Sequence, residues 1–302
     1  MVRPDFFIIG APKCGTTALS EYLRQHPAIG FSEPKEPVYF CADFPELRNF
    51  TDEAAYLEQC FGHCGDMGYQ AVGEGSTAYF LSEAAVPNIL EFAPNARFIV
   101  MLRNPVDMIP AFHAQMLLGL EEDVADFAKA WALQTRRARG ECLPKFNREP
   151  TILQYAKLGK LGSHLRRISG QVPEGRLKTI LFEDFVADTR KVYEEVLAFL
   201  GVPGDGRVEF PKINERQAIR VRSLYQFGHR PPESLMKLVS VCKRVFGIER
   251  LNIVPRMLEW NVKQAQRKTL SSPMRNTLIA EFSEDIDLLS SLLGRDLSHW
   301  KA

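Results

Sequence analysis

Phe6-Phe7-Ile8-Ile9-Gly10-Ala11-Pro12-Lys13-Cys14-Gly15-Thr16-Thr17 is the stretch on which the reading of this chain turns. A short apolar run enters a loop bounded by Gly10 and Gly15. The loop opens into Ala18-Leu19-Ser20-Glu21-Tyr22-Leu23, which has the composition of a helix. Strand, loop and helix N-terminus in that order make a phosphate cradle, because uncapped backbone N–H groups and the positive end of the helix dipole converge on one anion. The glycine spacing is that of the nucleotide-triphosphate loop G-x-x-x-x-G-K-[ST], but Thr16 stands where the lysine belongs and Lys13 lies inside the loop. The expected ligand is therefore anionic and nucleotide-like, and not a triphosphate.

Working outward, two further segments share the pattern: Ser32-Glu33-Pro34-Lys35-Glu36-Pro37-Val38-Tyr39-Phe40 and Arg97-Phe98-Ile99-Val100-Met101-Leu102-Arg103-Asn104-Pro105-Val106-Asp107. With Pro12-Lys13-Cys14-Gly15-Thr16-Thr17, they resemble the sulfotransferases that use 3′-phosphoadenosine 5′-phosphosulfate (PAPS) and release the 3′,5′-bisphosphate (PAP). The resemblance runs over residues 5 to 225 and is nearest the bacterial and carbohydrate-type branch. It implies a loop, Pro12 to Thr17, that holds the 5′-phosphosulfate, and no required metal. Lys13 is then the electrophile at the bridging oxygen. Glu36, in a K-E-x-x-[FY]-F-like segment, is the general base, and Lys35 either binds the sulfuryl oxygens or pairs with Glu33. Arg103, charged at the end of an apolar strand, suits the 3′-phosphate, since a guanidinium fork matches phosphate oxygens.

The chain departs from the family at Ala111, where a serine usually shares the 3′-phosphate; Pro110 precedes it in an expected helix. His113 either compensates or simply packs or reads acceptor. Arg220 and Arg222 resemble the late basic loop over the nucleotide, with a solvated basic turn as the competing reading. Glu74, in Gly73-Glu74-Gly75-Ser76-Thr77, is expected to orient Lys13 or the substrate. His26 is a reserve base, and Tyr39, Phe40, Tyr79, Phe80 and Phe112 are candidates to stack on a sugar or aromatic acceptor. Cys14 is either a reactive thiol at a helix N-terminus or a small residue filling a tight turn.

Composition sets the outer bounds. Lys plus Arg total 38 and Asp plus Glu 37, a formal charge of +1, which argues against a general nucleic-acid binder while allowing a local basic cleft. Cys60-Phe61-Gly62-His63-Cys64 invites a metal reading, but no second ligand pair accompanies it, and ordinary thiols are expected. No apolar run approaches the ~18 residues of a membrane span, and the start has no signal-peptide pattern. The expectation is a cytoplasmic enzyme with a small-molecule or carbohydrate acceptor.

Apolar runs at Phe6–Ile9, around Gln70–Val72, at Arg97–Leu102 and at Leu177–Phe182 read as buried strands separated by helical spacing such as Ala54, Leu57, Phe61 and Val124, Phe127, Trp131. That alternation predicts an α/β three-layer fold, P-loop-like, with a central parallel sheet flanked by helices and ligands at the carboxyl ends of its strands. Glu183 and Asp184, closing the fourth strand, are read as helix caps rather than catalytic groups. Residues 1–227 form the expected core and 228–302 a mostly helical extension, in which Leu235–Val245 and Ser283–Leu293 read as amphipathic helices. The basic residues from Arg244 to Lys268 are either solvated faces or a lid over the acceptor. Two alternatives remain: a P-loop kinase or nucleotide hydrolase, and a catalytically silent binder of adenosine bisphosphate.

Overall fold

The structure, a computed structural model, describes residues 1–65, 67–213, 217–219, 262–264 and 270–302. Arg220, Arg222 and the expected helix at 235–245 lie outside the described residues, as does most of the basic stretch beyond it. Strands β1 (Phe6–Gly10), β2 (Ile29–Phe31), β3 (Ala71–Gly75), β4 (Arg97–Leu102) and β5 (Leu177–Leu181) form one sheet in the order β2-β3-β1-β4-β5. Every neighbouring pair is parallel. β1 and β3 are buried at every position, and β4 at every position after Arg97, so both faces of the sheet are covered. The four expected strands are present. β2 is an addition, seated on β3 with Ile29 opposite Ala71.

Helices α1 (Thr16–Arg24), α2 (Glu53–Phe61), α3 (Ala85–Phe92) and α4 (Pro105–Leu118) connect the first four strands or follow them. Beyond them come α5 (Phe127–Ala132), α6 (Gln134–Arg137), α7 (Tyr155–Gly159), α8 (Leu161–Gln171), α9 (Phe182–Ala187) and α10 (Thr189–Leu200). A short antiparallel pair, β6 (Gln217–Ile219) with β7 (Val262–Gln264), precedes the long α11 (Ser272–Leu293). The helix expected at Ser283–Leu293 is thus the second half of α11. It is joined to α8 by Asp285, whose carboxylate accepts from Gly162 N at 2.6 Å, Ser163 N at 2.9 Å and Ser163 Oγ at 2.6 Å. One helix therefore caps another, satisfying amide donors that the first turn of α8 would otherwise leave unpaired.

α4 runs through Pro110, which supplies no N–H to the carbonyl of Val106. Asn104 starts it, accepting from Val106 N at 2.9 Å. Below its far end, Glu122 and Arg137 form a wholly buried ion pair at 2.6 and 2.7 Å, and Tyr155 donates to the same carboxylate at 2.6 Å. Burial pushes the Glu122 carboxyl up, but these bonds and the Val124 amide outweigh it and hold the group near about 2. The pair ties the stretch after α4 to α6 and, through Tyr155, to α7.

The strand order reverses at β1, with β3 on one side and β4 on the other. In open parallel sheets the crevice at such a switch point is where ligands bind. The loop after β1 occupies it.

Candidate active site

The β1–α1 loop is shaped by three left-handed residues: Gly10 at φ 135°, Lys13 at φ 61° and Gly15 at φ 92°. Gly10 admits no side chain, since a Cβ there would lie 2.5 Å from Phe80 Cβ and 3.2 Å from the Thr77 carbonyl oxygen. Gly15 is the N-cap of α1 and brings no side-chain cap, so the amides of the first turn keep their donor capacity for a ligand. Lys13 is exposed in mid-loop, Pro12 and Thr16 are buried and Thr17 half-buried. Lys13 is an L-residue held in a region that costs roughly 1–2 kcal/mol, and strain of this kind gathers where a side chain must be aimed. Cys14 is the turn-filling residue, not the reactive one. It is fully buried and donates to the Pro12 carbonyl at 3.3 Å. Burial pushes its thiol far above the usual range, outweighing the nearby charges of Arg103 and Lys13.

The second half of the site is the segment after β2. Glu36 sits at φ 64° and Val38 at φ 54°, again left-handed. The Glu36 amide donates to Gly75 O at 3.0 Å, and Asn49 Nδ2 donates to the Glu36 carbonyl at 2.8 Å. The Glu36 carboxylate receives Lys35 Nζ at 2.5 Å, Thr77 N at 2.7 Å and the Thr77 hydroxyl at 3.2–3.3 Å. Lys35 therefore pairs with Glu36 and not with exposed Glu33. The Glu36 side chain keeps 36% of its surface exposed, enough for a second molecule to reach it. Thr77 joins the two halves: its amide holds Glu36, and its carbonyl lies against Gly10.

Arg103 leaves β4 on the same edge. It is half-buried, with Nη1 3.4 Å from the Lys13 carbonyl oxygen and its guanidinium 4.9 Å from the centre of the Phe182 ring. Phe182, the first residue of α9, also underlies Gly15. Two carboxyl neighbours of Phe182 are occupied elsewhere. Glu183 accepts from Trp300 Nε1 at 2.9 Å, and Asp184 is paired with Arg295. Ala111 is partly exposed on α4 and brings no hydroxyl.

Several expected site residues lie elsewhere than the sequence implies. Glu74 is fully buried, and its carboxylate takes hydrogen bonds from Tyr56 at 2.6 Å and Ser76 at 2.7 Å, so it orients neither Lys13 nor a substrate directly. His113 is buried, bonded to the Val124 carbonyl at 2.9 Å and packed against Phe127 and Tyr155. Burial lowers its pKa. His26 is buried too: Nδ1 accepts from Ala28 N at 3.1 Å, which leaves Nε2 to donate to the Pro203 carbonyl at 3.0 Å. Phe40, Tyr79, Phe80 and Phe112 belong to the core, and half-buried Tyr39 stacks on Tyr56 at 4.4 Å. His63 bonds to the Phe31 carbonyl, and no group of three metal-ligating side chains occurs among the described residues. Residues not singled out from sequence complete the site, chiefly Thr77, Asn49 and Phe182. Thr77 had a signal, its place directly after a strand on the ligand edge.

Comparison with known proteins shows the family. The model of the sulfotransferase domain matches residues 3–225. The bifunctional heparan sulfate N-deacetylase/N-sulfotransferase 3 of Homo sapiens is 28% identical over 201 residues, 66% of this chain and 22% of that protein. Carbohydrate sulfotransferase 15 of Homo sapiens is 33% identical over 145 residues, 35% of this chain and 26% of that protein. The chain thus spans about a quarter or less of the length of these relatives. A crystal structure of a sulfotransferase from Alicyclobacillus acidocaldarius, 27% identical, matches with a TM-score of 0.72 over 100% of both chains. With most of its length matched by this one family model, the chain belongs to the sulfotransferase domain family.

Proposed function

We propose that this chain transfers a sulfuryl group from PAPS to a hydroxyl or amine of a carbohydrate, glycolipid or small-metabolite acceptor. The observation that carries the reading is the meeting of two strained segments at one strand edge. One presents Lys13 beside uncapped amides, and the other presents a half-exposed Glu36. The residues fit the donor: the first turn of α1 offers N–H groups to a 5′-phosphate, Thr16 and Thr17 add hydroxyls, and Arg103 stands at the rim for a 3′-phosphate. Ala111 fits less well, since it brings no hydroxyl to a 3′-phosphate. PAPS supplies the activated sulfuryl group.

Lys13 places its ammonium where negative charge grows on the departing phosphate oxygen. Glu36 takes the acceptor's proton. Of the roughly four lone-pair sites of a carboxylate, Lys35 and the Thr77 amide take one on each oxygen and the Thr77 hydroxyl lies between them. One site stays open to the acceptor. Thr77 and Lys35 fix the direction of that open lone pair, which is what general-base geometry requires. The heparan sulfate relative makes an N-desulfated heparan sulfate oligosaccharide the first acceptor to test.

Calorimetric titration with PAP, AMP and Mg·ATP in chelator-treated buffer tests the donor site. Preference for PAP is expected. Preference for Mg·ATP would place the chain with the kinases, and binding of none would refute the donor assignment. Glu36→Gln is expected to keep PAP affinity and lose transfer.

A further inference from the structure

Glu74 is the most unusual group outside the reacting residues. It is fully buried, and its partners among the described residues are hydroxyls: Tyr56 at 2.6 Å, Ser76 at 2.7 Å and Tyr79. A carboxylate buried without a cation raises the free energy of the fold, and such groups gather at functional sites. The titratable groups that face it are Tyr56 and Cys60 of α2, with Tyr79, Cys41 and Glu36.

The hydroxyls lead to one place. Because Ser76 donates its proton to Glu74, its oxygen is free to accept, and it does so from Val38 N at 3.1 Å. The Tyr79 hydroxyl also faces Glu74, and it accepts from Phe40 N at 3.3 Å. Tyr56, the third partner, stacks flat on Tyr39. Three routes from one carboxylate thus end on Val38, Tyr39 and Phe40, the residues that follow Glu36. This is also the segment with two left-handed L-residues, Glu36 and Val38, the second β-branched and therefore in a conformation it rarely adopts.

We propose that Glu74 is a positioning residue: through the hydroxyls of Ser76 and Tyr79 it holds the strained Glu36–Phe40 segment in the one conformation that presents Glu36 to an acceptor. Once ionised, the carboxylate is acceptor-only and obliges both hydroxyls to point their protons inward and their lone pairs at the segment. A neutral amide puts one acceptor oxygen and an NH₂ donor in its place, so it cannot draw all three hydroxyl protons inward. The catalytic consequence rests on Glu36 being the base; the relay itself does not.

Native-state amide exchange read by NMR tests the relay. Ser76→Ala is expected to speed exchange at Val38 at least tenfold and leave Phe40 unchanged, while Tyr79→Phe does the reverse. Glu74→Gln speeds at least one of the two, with Ile8 and Ile99 in the sheet unaltered. Unchanged exchange at both amides, or an equal rise across the sheet, would overturn the proposal. The two single-hydroxyl variants keep it testable should Glu74→Gln fail to fold. In transfer from PAPS to an N-desulfated heparan sulfate oligosaccharide, Glu74→Gln is expected to lower kcat at least tenfold with KM for PAPS within threefold. An unchanged kcat would break the link to catalysis. A wild-type protein that neither binds PAP nor acts on this acceptor would refute the proposed function, while the exchange pattern alone still decides the relay.

Discussion

Glu74→Gln should alter the pH profile of stability in a way that a surface substitution does not. Burial pushes the Glu74 carboxyl from 4.5 up to about 7, against the hydrogen bonds from Tyr56, Ser76 and Tyr79. Below pH 4.5 the folded and unfolded chains both carry the proton, and the group adds no pH dependence. Between pH 4.5 and about 7 the folded chain keeps its proton while the unfolded chain has lost it, so stability falls as pH rises. Above that window both are ionised and the full cost is present, at about 1.36 kcal/mol per pH unit or ~3 kcal/mol in all. Glutamine does not titrate. The stability of the variant relative to wild type should therefore rise by ~3 kcal/mol between pH 4.5 and pH 8. For a chain of 302 residues the unfolding entropy is about 0.6 kcal/mol/K, so this is a relative gain of ~5 °C in Tm. Calorimetric melts of both proteins across that range measure it. A Tm difference that stays constant with pH would refute the raised ionisation of a buried Glu74.

Three other outcomes are expected. Lys13→Ala should lower kcat by about 100-fold or more while PAP affinity, read by calorimetry, changes far less; equal losses would reassign Lys13 to ground-state binding. Arg103→Ala should weaken PAP by about 10- to 100-fold, the loss of one or two charge-assisted bonds, and leave AMP within a few-fold; equal losses for the two nucleotides would remove Arg103 from the 3′-phosphate. Under native conditions a thiol reagent should label exposed Cys142 and spare Cys14, as peptide mapping would show; rapid labelling of Cys14 would contradict its burial.

The strand–loop–helix start and four strands were readable from sequence because each is a continuous apolar run with a clear boundary. β2 was not: Ile29-Gly30-Phe31 is too short to show periodicity, carries a glycine, and owes its place to the edge of β3. Glu74 shows a second limit. The sequence puts it just after a strand, on the ligand edge, and the structure has it within the last two residues of β3. Which way its side chain points depends on α2, whose Tyr56 arrives from eighteen residues earlier in the chain to take the carboxylate inward. His113 takes the packing alternative for the same reason, its ring being claimed by Phe127 and Tyr155. Lys13 and Glu36 could be picked out as residue types, but their left-handed backbones could not, since nothing in either side chain favours that conformation.

Those backbones also point to a use for the protein. Lys13, Glu36 and Val38 each hold a conformation that glycine or asparagine adopts with less strain. At roughly 1–2 kcal/mol apiece, they amount to a reserve of stability set against activity. Lys13→Gly combined with Glu36→Asn would draw on that reserve while removing both proposed reacting groups. The product would be an inert protein with less strained loops that could hold donor and acceptor side by side without consuming them, a trap from which an unknown acceptor could be recovered intact.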